Sequence, residues 1–397
     1  MVKRARAARD PSTLAVHAGA SANPTHAVSI PIFETSTFRF DSAAHGARMS
    51  ESIAPTELYT RWGNPTTRAL EEAIAELEGA DAALAFASGM AAGSTAVLAA
   101  VKGGDHVVAA SCLYAGMTEL FERKLPPLGV ETTFVPPEDP EAFRRALRQN
   151  TRLIYVETPA NPTLAITDLR AVARIARAAG RKILTIADNT WASSWNTRPI
   201  EHGIDVVVHS ATKYLNGHSD VIAGAVAGSR RFIDRAWPWL KVLGGCIAPF
   251  EAWLVLRGIR TLAVRVERQN ATTLALARFL ARHRKILRVH YPGLPSHPGH
   301  AIAKRQMRGF GGMLSFEVRG GLAAGRRLLE SLDLVTHAVS LGGTETLAVH
   351  PASTTHAPLT DAERRRGRIG PGLIRVSVGL EDRRDLIADF DRALRRV

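Results

Sequence analysis

Cysteine is scarce. Only Cys112 and Cys246 occur in 397 residues. Two thiols cannot form a disulfide framework, and no Cys-x-x-Cys pair offers a zinc-type spacing. A reducing compartment, the cytoplasm, is therefore expected. Long apolar runs are also missing. None approaches the roughly 20 residues that cross a bilayer, so no membrane association is expected. The basic stretch Met1 to Arg9 lacks the apolar segment of a signal peptide and reads as a mobile tail. The histidines His290, His297, His300, His350 and His356 have no metal-ligand spacing, and no metal is expected. Acidic residues are outnumbered, 37 against 51 Lys and Arg, for a net charge of +14. Such a charge raises nucleic-acid binding as a possibility. The arginines, however, are spread over helix faces such as Arg144-Arg145 and Arg170 to Arg181. Aromatics make up only 6% of the chain, and no nucleic-acid-binding motif is present. An anionic small-molecule site with a generally basic surface is favoured over nucleic acid as a partner.

What the chain does have is a hydrophobic content of 46% and enough length for two domains. The first 62 residues hold Pro11, Pro24, Pro31 and Pro55 and a short β-like run, Thr35 to Phe40. They form an arm without its own core, expected to lie on this or a neighbouring subunit. From residue 63 to about 258, short apolar runs alternate with amphipathic stretches. The runs are Ala82–Ala87, His106–Ala110, Thr132–Val135, Leu153–Glu157, Ile183–Ala187 and Val206–Val208. This alternation predicts an α/β domain with a mostly parallel sheet covered on both faces. A helix is expected to follow Tyr114 as far as Leu128. Beyond Lys213 a strand turning back is expected over Ile222–Val226. From residue 259 to 397 a long helix, Leu262 to Arg282, leads to alternating strands at Gly312–Val318 and Leu373–Val378. A final helix spans Asp382 to Leu394. A smaller α+β C-terminal domain is expected there.

Polar residues gather where the strands end. Ser88-Gly89-Met90 follows a strand and opens an Ala-rich helix, whose first N–H groups suit an anion. The Gly-x-Gly-x-x-Gly fingerprint is absent. Tyr114, Asn161 and Asp188 each follow a strand. Val206 to Val208 lead into Ser210, Thr212 and Lys213. In a parallel sheet these carboxyl ends share one edge, where ligands bind. A lysine after a buried strand can lose its proton more readily and act as an amine nucleophile. Tyr59 and Arg61, before the helix that starts at Pro65, suit a phosphate, or equally a packed tyrosine and a surface arginine. Taken singly, Asp188 also reads as a helix cap, Arg375 as a surface ion pair and Met90 as core. Taken together, an anion hole, an aromatic, a carboxylate and an amine suit pyridoxal phosphate bound through Lys213. Asp188 would then hold the pyridine nitrogen protonated, with Tyr114 stacked on the ring.

The sequence at this point resembles the trans-sulfuration (cysteine and methionine metabolism) family of pyridoxal-phosphate enzymes, of fold type I. The resemblance rests on Tyr59-Thr60-Arg61-x-x-Asn64-Pro65-Thr66, Ala87-Ser88-Gly89-Met90, Tyr114, Glu157-Thr158-Pro159-Ala160-Asn161-Pro162, and Asp188-Asn189-Thr190. It continues through Ser210-Ala211-Thr212-Lys213-Tyr214, Gly217 to Asp220, Ser340 to Gly343, His350 to Ser353 and Arg375 to Glu381. It implies roles. Lys213 would carry the cofactor and move protons, and Asp188 would face the ring nitrogen. Gly89, Met90, Ser210 and Thr212 would hold the phosphate, as would Tyr59 and Arg61 reaching a neighbouring subunit's site. Asn161 would meet the ring hydroxyl, and Tyr114 would stack and assist proton transfer. Arg375 with Ser340 would clamp the carboxylate of an amino-acid substrate. A homo-oligomer is implied, a tetramer built as a dimer of active dimers. The implied activity is carbon–sulfur cleavage of cystathionine or a related sulfur amino acid by α,β- or α,γ-elimination. The alternatives are γ-replacement, of the O-acylhomoserine sulfhydrylase or cystathionine γ-synthase type, and methionine γ-lyase. Methionine γ-lyases usually carry cysteine where this chain has Gly116. Val339 resembles those lyases rather than the cystathionine γ-enzymes, and Leu341 departs from the tryptophan common in bacterial cystathionine β-lyases.

Overall fold

The computed structural model describes residues 10–354 and 369–397; the basic Met1 to Arg9 and His356 lie outside the described residues. Seven strands form the first sheet: β1 (Ala82–Phe86), β2 (His106–Ala110), β3 (Glu131–Val135), β4 (Thr151–Glu157), β5 (Leu184–Asp188), β6 (Val206–His209) and β7 (Gly224–Gly228). Their order is β1-β7-β6-β5-β4-β2-β3. The pairs from β6 to β3 are parallel, while β7 runs antiparallel to both β6 and β1. The expected return strand thus exists, two residues later than its apolar run suggested. The strands Ala-Ala-Leu-Ala-Phe, His-Val-Val-Ala-Ala and Val-Val-Val-His are buried at every position. That is the pattern of a sheet covered on both faces. Alternation along the strands sorts side chains by size. Leu84, Phe86, Val206, Val208 and Val226 face one core. Ala83, Ala85, Ala225 and Ala227 face the other, and let the Pro65–Glu78 helix lie close with Leu70 and Ile74.

The second sheet holds β8 (Ile286–His290), β9 (Met313–Val318), β10 (Thr336–His337), β11 (Leu347–Val349) and β12 (Leu373–Ser377), in the order β10-β11-β12-β9-β8. Its pairings are antiparallel except β10 with β11. The helix Leu262–Arg282 lies before it in the chain, and Leu276 and Leu280 join its core beside Leu386 and Phe390 of the Arg383–Arg395 helix.

Two expected elements differ. Thr35–Phe40 forms no strand; a single bridge joins Thr37 to Tyr59, because no second strand of the described chain runs beside it. The helix after Tyr114 breaks into Ala115–Glu119, a wider turn over Leu120–Lys124 and a tight turn at Pro126–Leu128. Pro126 and Pro127 cannot supply the N–H groups that a continuous helix needs.

Candidate active site

The carboxyl ends of β1, β4, β5 and β6 open onto one cavity of about 480 Å³, closed from the side by Val339–Leu341 and by Arg375 of β12. On the β1 side, Ser88 caps the Gly89–Ala100 helix by accepting from the Ala91 N–H at 3.0 Å. The N–H groups of Gly89 and Met90, in the first turn, have no acceptor within the helix. Two glycines let the backbone close in here. A Cβ on Gly224 would lie 2.1 Å from the Ser88 carbonyl oxygen, and one on Gly89 would lie 2.7 Å from the Ser210 Cβ. The result is a narrow cradle of helix N–H groups facing the Ser210 side chain.

The end of β6 carries the amine. Lys213 Nζ donates to Ser340 Oγ at 2.8 Å. Burial, and next the neighbouring Arg375 charge, lower the lysine's pKa. Thr212 lines the cavity, but its hydroxyl donates to the Ala223 carbonyl at 3.1 Å and accepts from the Ala223 N–H at 2.9 Å. In this arrangement it braces the loop and has no proton to offer an anion. Ser340 has a left-handed backbone, with φ of 86°. A non-glycine residue there is strained by about 1–3 kcal/mol. Its hydroxyl meets Lys213 while its carbonyl accepts from Arg375 Nη2 at 3.1 Å. Arg375 Nη1 donates to Asn161 Oδ1 at 3.3 Å, and the guanidinium lies 5.9 Å from the Trp191 ring centroid. Burial pushes the Arg375 pKa down to about 10. No carboxylate pairs with it among the described residues. A positive fork, buried and unpaired, is a site for a ligand carboxylate.

Two carboxylates line the opposite wall. Asp188 and Glu157 are register partners on β5 and β4. Glu157 accepts from the Tyr114 N–H at 2.7 Å and the Asn161 N–H at 3.2 Å, so it ties both loops to the strand edge. Burial, and then the Asp188 charge, raise its pKa well above the ordinary range. Asp188 is raised by burial too, against hydrogen bonds from Thr190 and the charge of His209. A cationic N–H placed against Asp188 would relieve that desolvation. The donor set therefore fits pyridoxal phosphate: an anion cradle at Gly89, an amine at Lys213, and a carboxylate at Asp188 that wants a positive partner. Tyr114, half exposed, lies at the mouth where it could cover a ring.

Of the residues singled out from sequence, Gly89, Met90, Tyr114, Asn161, Asp188, Ser210, Thr212, Lys213, Ser340 and Arg375 all line this cavity. Tyr59 and Arg61 do not. Arg61 stacks over the Tyr59 ring at 5.3 Å and donates to the Lys241 carbonyl at 2.5 Å. Glu157, Thr190, Trp191 and Ile222 also line it but were assigned no role from sequence. Glu157 carries the same strand-end signal as Asp188 and could have been found by it. A wider cavity of about 760 Å³ contains His290 and His297. It brings together no lysine, and its His290 is already paired with Glu317 at 3.1 Å. No group of metal-ligating side chains occurs among the described residues.

A family model described as "Cys/Met metabolism PLP-dependent enzyme" matches residues 12–395. An L-methionine gamma-lyase of Fusobacterium nucleatum subsp. nucleatum is 46% identical over 387 residues, covering 97% of this chain and 98% of that protein. A cystathionine beta-lyase of Coxiella burnetii is 44% identical, with 96% and 97% covered. An O-succinylhomoserine sulfhydrylase of Pseudomonas aeruginosa is 41% identical, with 96% and 94% covered. The crystal structure of metB from Corynebacterium glutamicum superposes with a TM-score of 0.90 at 37% identity over 98% of each chain.

Proposed function

Because this chain belongs to the Cys/Met metabolism family of PLP-dependent enzymes, with their fold type I architecture, we propose that it is a carbon–sulfur lyase acting on cystathionine or a related thioether amino acid. The observation that carries this is the convergence of the Lys213 amine, the Asp188 carboxylate and the unpaired Arg375 guanidinium on one cavity. The cofactor is pyridoxal phosphate, which Gly89, Met90 and Ser210 would hold at its phosphate, Asp188 at its ring nitrogen and Lys213 through its amine. When bound, it supplies an electron sink that makes a proton on the substrate Cα acidic.

The chain's own groups do the rest. Arg375 and Ser340 fix the substrate carboxylate, so Cα lies near Lys213. With the substrate amine in its place on the cofactor, Lys213 Nζ would be free to take the Cα proton and pass it to the leaving sulfur in β-cleavage, or to take a second proton from Cβ in γ-cleavage; burial already lowers its pKa. Asn161 braces Arg375. Ile222, Val339 and Leu341 give the thioether an apolar wall. Tyr59 and Arg61 reach a second copy's phosphate site, so the enzyme works as a homo-oligomer, a tetramer of paired dimers. Trp239, Val242 and Leu243 are exposed on the same Arg230–Leu243 helix as Lys241, where Arg61 is anchored, as a subunit contact requires. Cys112 and Cys246 are in no disulfide, which suits the cytoplasm.

The purified protein should show a visible cofactor band that borohydride removes, leaving the label on Lys213. A protein that stays colourless with added cofactor overturns the proposal. Product analysis then assigns the bond. Pyruvate from cystathionine marks β-cleavage, and 2-oxobutyrate from cystathionine or methionine marks γ-cleavage. O-acylhomoserine consumed only with added thiol would instead favour replacement, the activity in the name of the Pseudomonas aeruginosa relative. Arg375→Ala should raise KM by about two orders of magnitude, as loss of a charged bidentate contact does, with the cofactor band unchanged. Loss of the band would mean that Arg375 serves the cofactor instead.

A further inference from the structure

Behind the cavity, on the opposite face of the first sheet, lies a buried polar cluster with no part in the scheme above. Glu78, the last residue of the Pro65–Glu78 helix, is fully buried. Its Oε1 lies within hydrogen-bond distance of His209 Nε2, at 2.6 Å, and accepts from Asn189 Nδ2 at 3.0 Å. Asn189 Nδ2 also donates to the Thr197 carbonyl at 2.8 Å. Glu78 Oε2 has no hydrogen-bond partner among the described residues. A buried carboxylate with an unsatisfied oxygen is costly, and such pairs are often no more stable than an apolar replacement. Stability alone is a poor reason for this cluster.

Its position supplies a better one. His209 ends β6 and immediately precedes Ser210; Asn189 immediately follows Asp188. The two strand ends are also joined by Asn189 N–H to the Val208 carbonyl at 2.9 Å and, on the cavity side, by Ser210 N–H to Thr190 Oγ1 at 2.8 Å. Glu78 thus clamps from behind the two strands that present Asp188 and Lys213 in front. Asp188 is desolvated and paired in register with buried Glu157. Against these, its charge is favoured by the Thr190 hydrogen bonds and by His209. Facing His209 are Glu78 from the helix and Asp188 from β5, with Glu157 of β4 beyond Asp188. Its neighbour on β7 is Ala225, in a strand of glycine, alanine and valine.

We propose that Glu78 is a positioning residue for the cofactor site: by holding His209 and Asn189 together it locks the ends of β5 and β6, so that the Asp188 carboxylate stays placed against the ring nitrogen. The proposal rests on the cofactor assignment above. The test is the wild type, Glu78→Gln and Glu78→Asp, each loaded with pyridoxal phosphate labelled with 15N in the ring. The nitrogen chemical shift is followed against pH, and the cofactor dissociation constant is measured. Glu78→Gln should lower the apparent pKa of the ring nitrogen by about one unit and weaken cofactor binding roughly tenfold. Glu78→Asp, which keeps the charge, should recover most of both. A Glu78→Gln protein with an altered melting temperature but wild-type nitrogen titration and cofactor affinity overturns the proposal. If Glu78→Gln does not fold, His209→Gln reads the same quantity, and an unshifted titration there is equally fatal. A wild type that forms no borohydride-stable adduct at Lys213 would instead defeat the cofactor assignment itself.

Discussion

At the scale of single residues, the site is built from groups held in unfavourable states. Ser340 keeps a left-handed backbone, Lys213 and Arg375 are desolvated cations, and Glu157 and Asp188 are buried carboxylates in register. Glu157 gives this a measurable consequence. Its pKa is raised in the fold, so the folded protein keeps a proton there that the unfolded chain releases in the ordinary carboxylate range. The sign follows from linkage: stability from this site is full at acid pH and declines as pH rises toward the folded value. Each unit of the shift is worth about 1.4 kcal/mol. In cofactor-free protein, Glu157→Gln removes the titration, although one of its two N–H contacts is lost. The melting temperature of the variant relative to wild type should therefore climb as pH is raised from acid to neutral. A difference that stays flat with pH would show that Glu157 does not carry the strained charge.

At the scale of elements, the cradle depends on how closely the Gly89–Ala100 helix meets the end of β6. Gly89→Ala would place a Cβ 2.7 Å from that of Ser210. The helix start or the Ser210 loop must then shift. A displacement of this size at an anion site should cost ten- to a hundredfold in cofactor affinity, about 1.4–2.8 kcal/mol, while alanine's better helix propensity limits the loss of fold stability. Cofactor titration against thermal melting separates the two effects, and equal affinity in the variant would count against the cradle. These strand ends were legible in the sequence because each apolar run stops at its first polar residue: Phe86-Ala87 at Ser88, Ala187 at Asp188, Val208 at His209 and Ser210. The Leu262–Arg282 helix was legible for a similar reason, its apolar positions recurring every three or four residues. Glu78 was not. It reads as an ordinary acidic residue at a helix end, and its partners Asn189 and His209 lie 111 and 131 residues further on. No local pattern announces that its side chain turns under two strands. Thr35–Phe40 misled in the other direction: it alternates like a strand, but a strand also needs a neighbour to pair with.

At the scale of the whole molecule, the open question is what the arm does. Tyr59 and Arg61 resemble phosphate ligands in sequence, yet in a single chain Arg61 turns to the Lys241 carbonyl and over the Tyr59 ring, and neither lines the cavity. Val28, Phe40 and Ile53 of the same arm are exposed, an arrangement that makes sense if a second copy covers them. The shared-site proposal can be tested by complementation. Lys213→Ala removes the amine from its own site, and Arg61→Ala removes a phosphate contact from its partner's. Each variant alone should be inactive or nearly so. In a mixed dimer, the site with an intact Lys213 receives Arg61 from the Lys213→Ala subunit and is whole; the other site carries both lesions. With random pairing, half the dimers are mixed and each has one working site of two, so about a quarter of wild-type activity should return on co-expression. Activity that remains at the level of the separate variants would place Arg61 in its own subunit's structure. Substantial activity in Arg61→Ala alone would remove it from phosphate binding altogether. Recovery near a quarter is the outcome that only exchange of the arm between subunits produces.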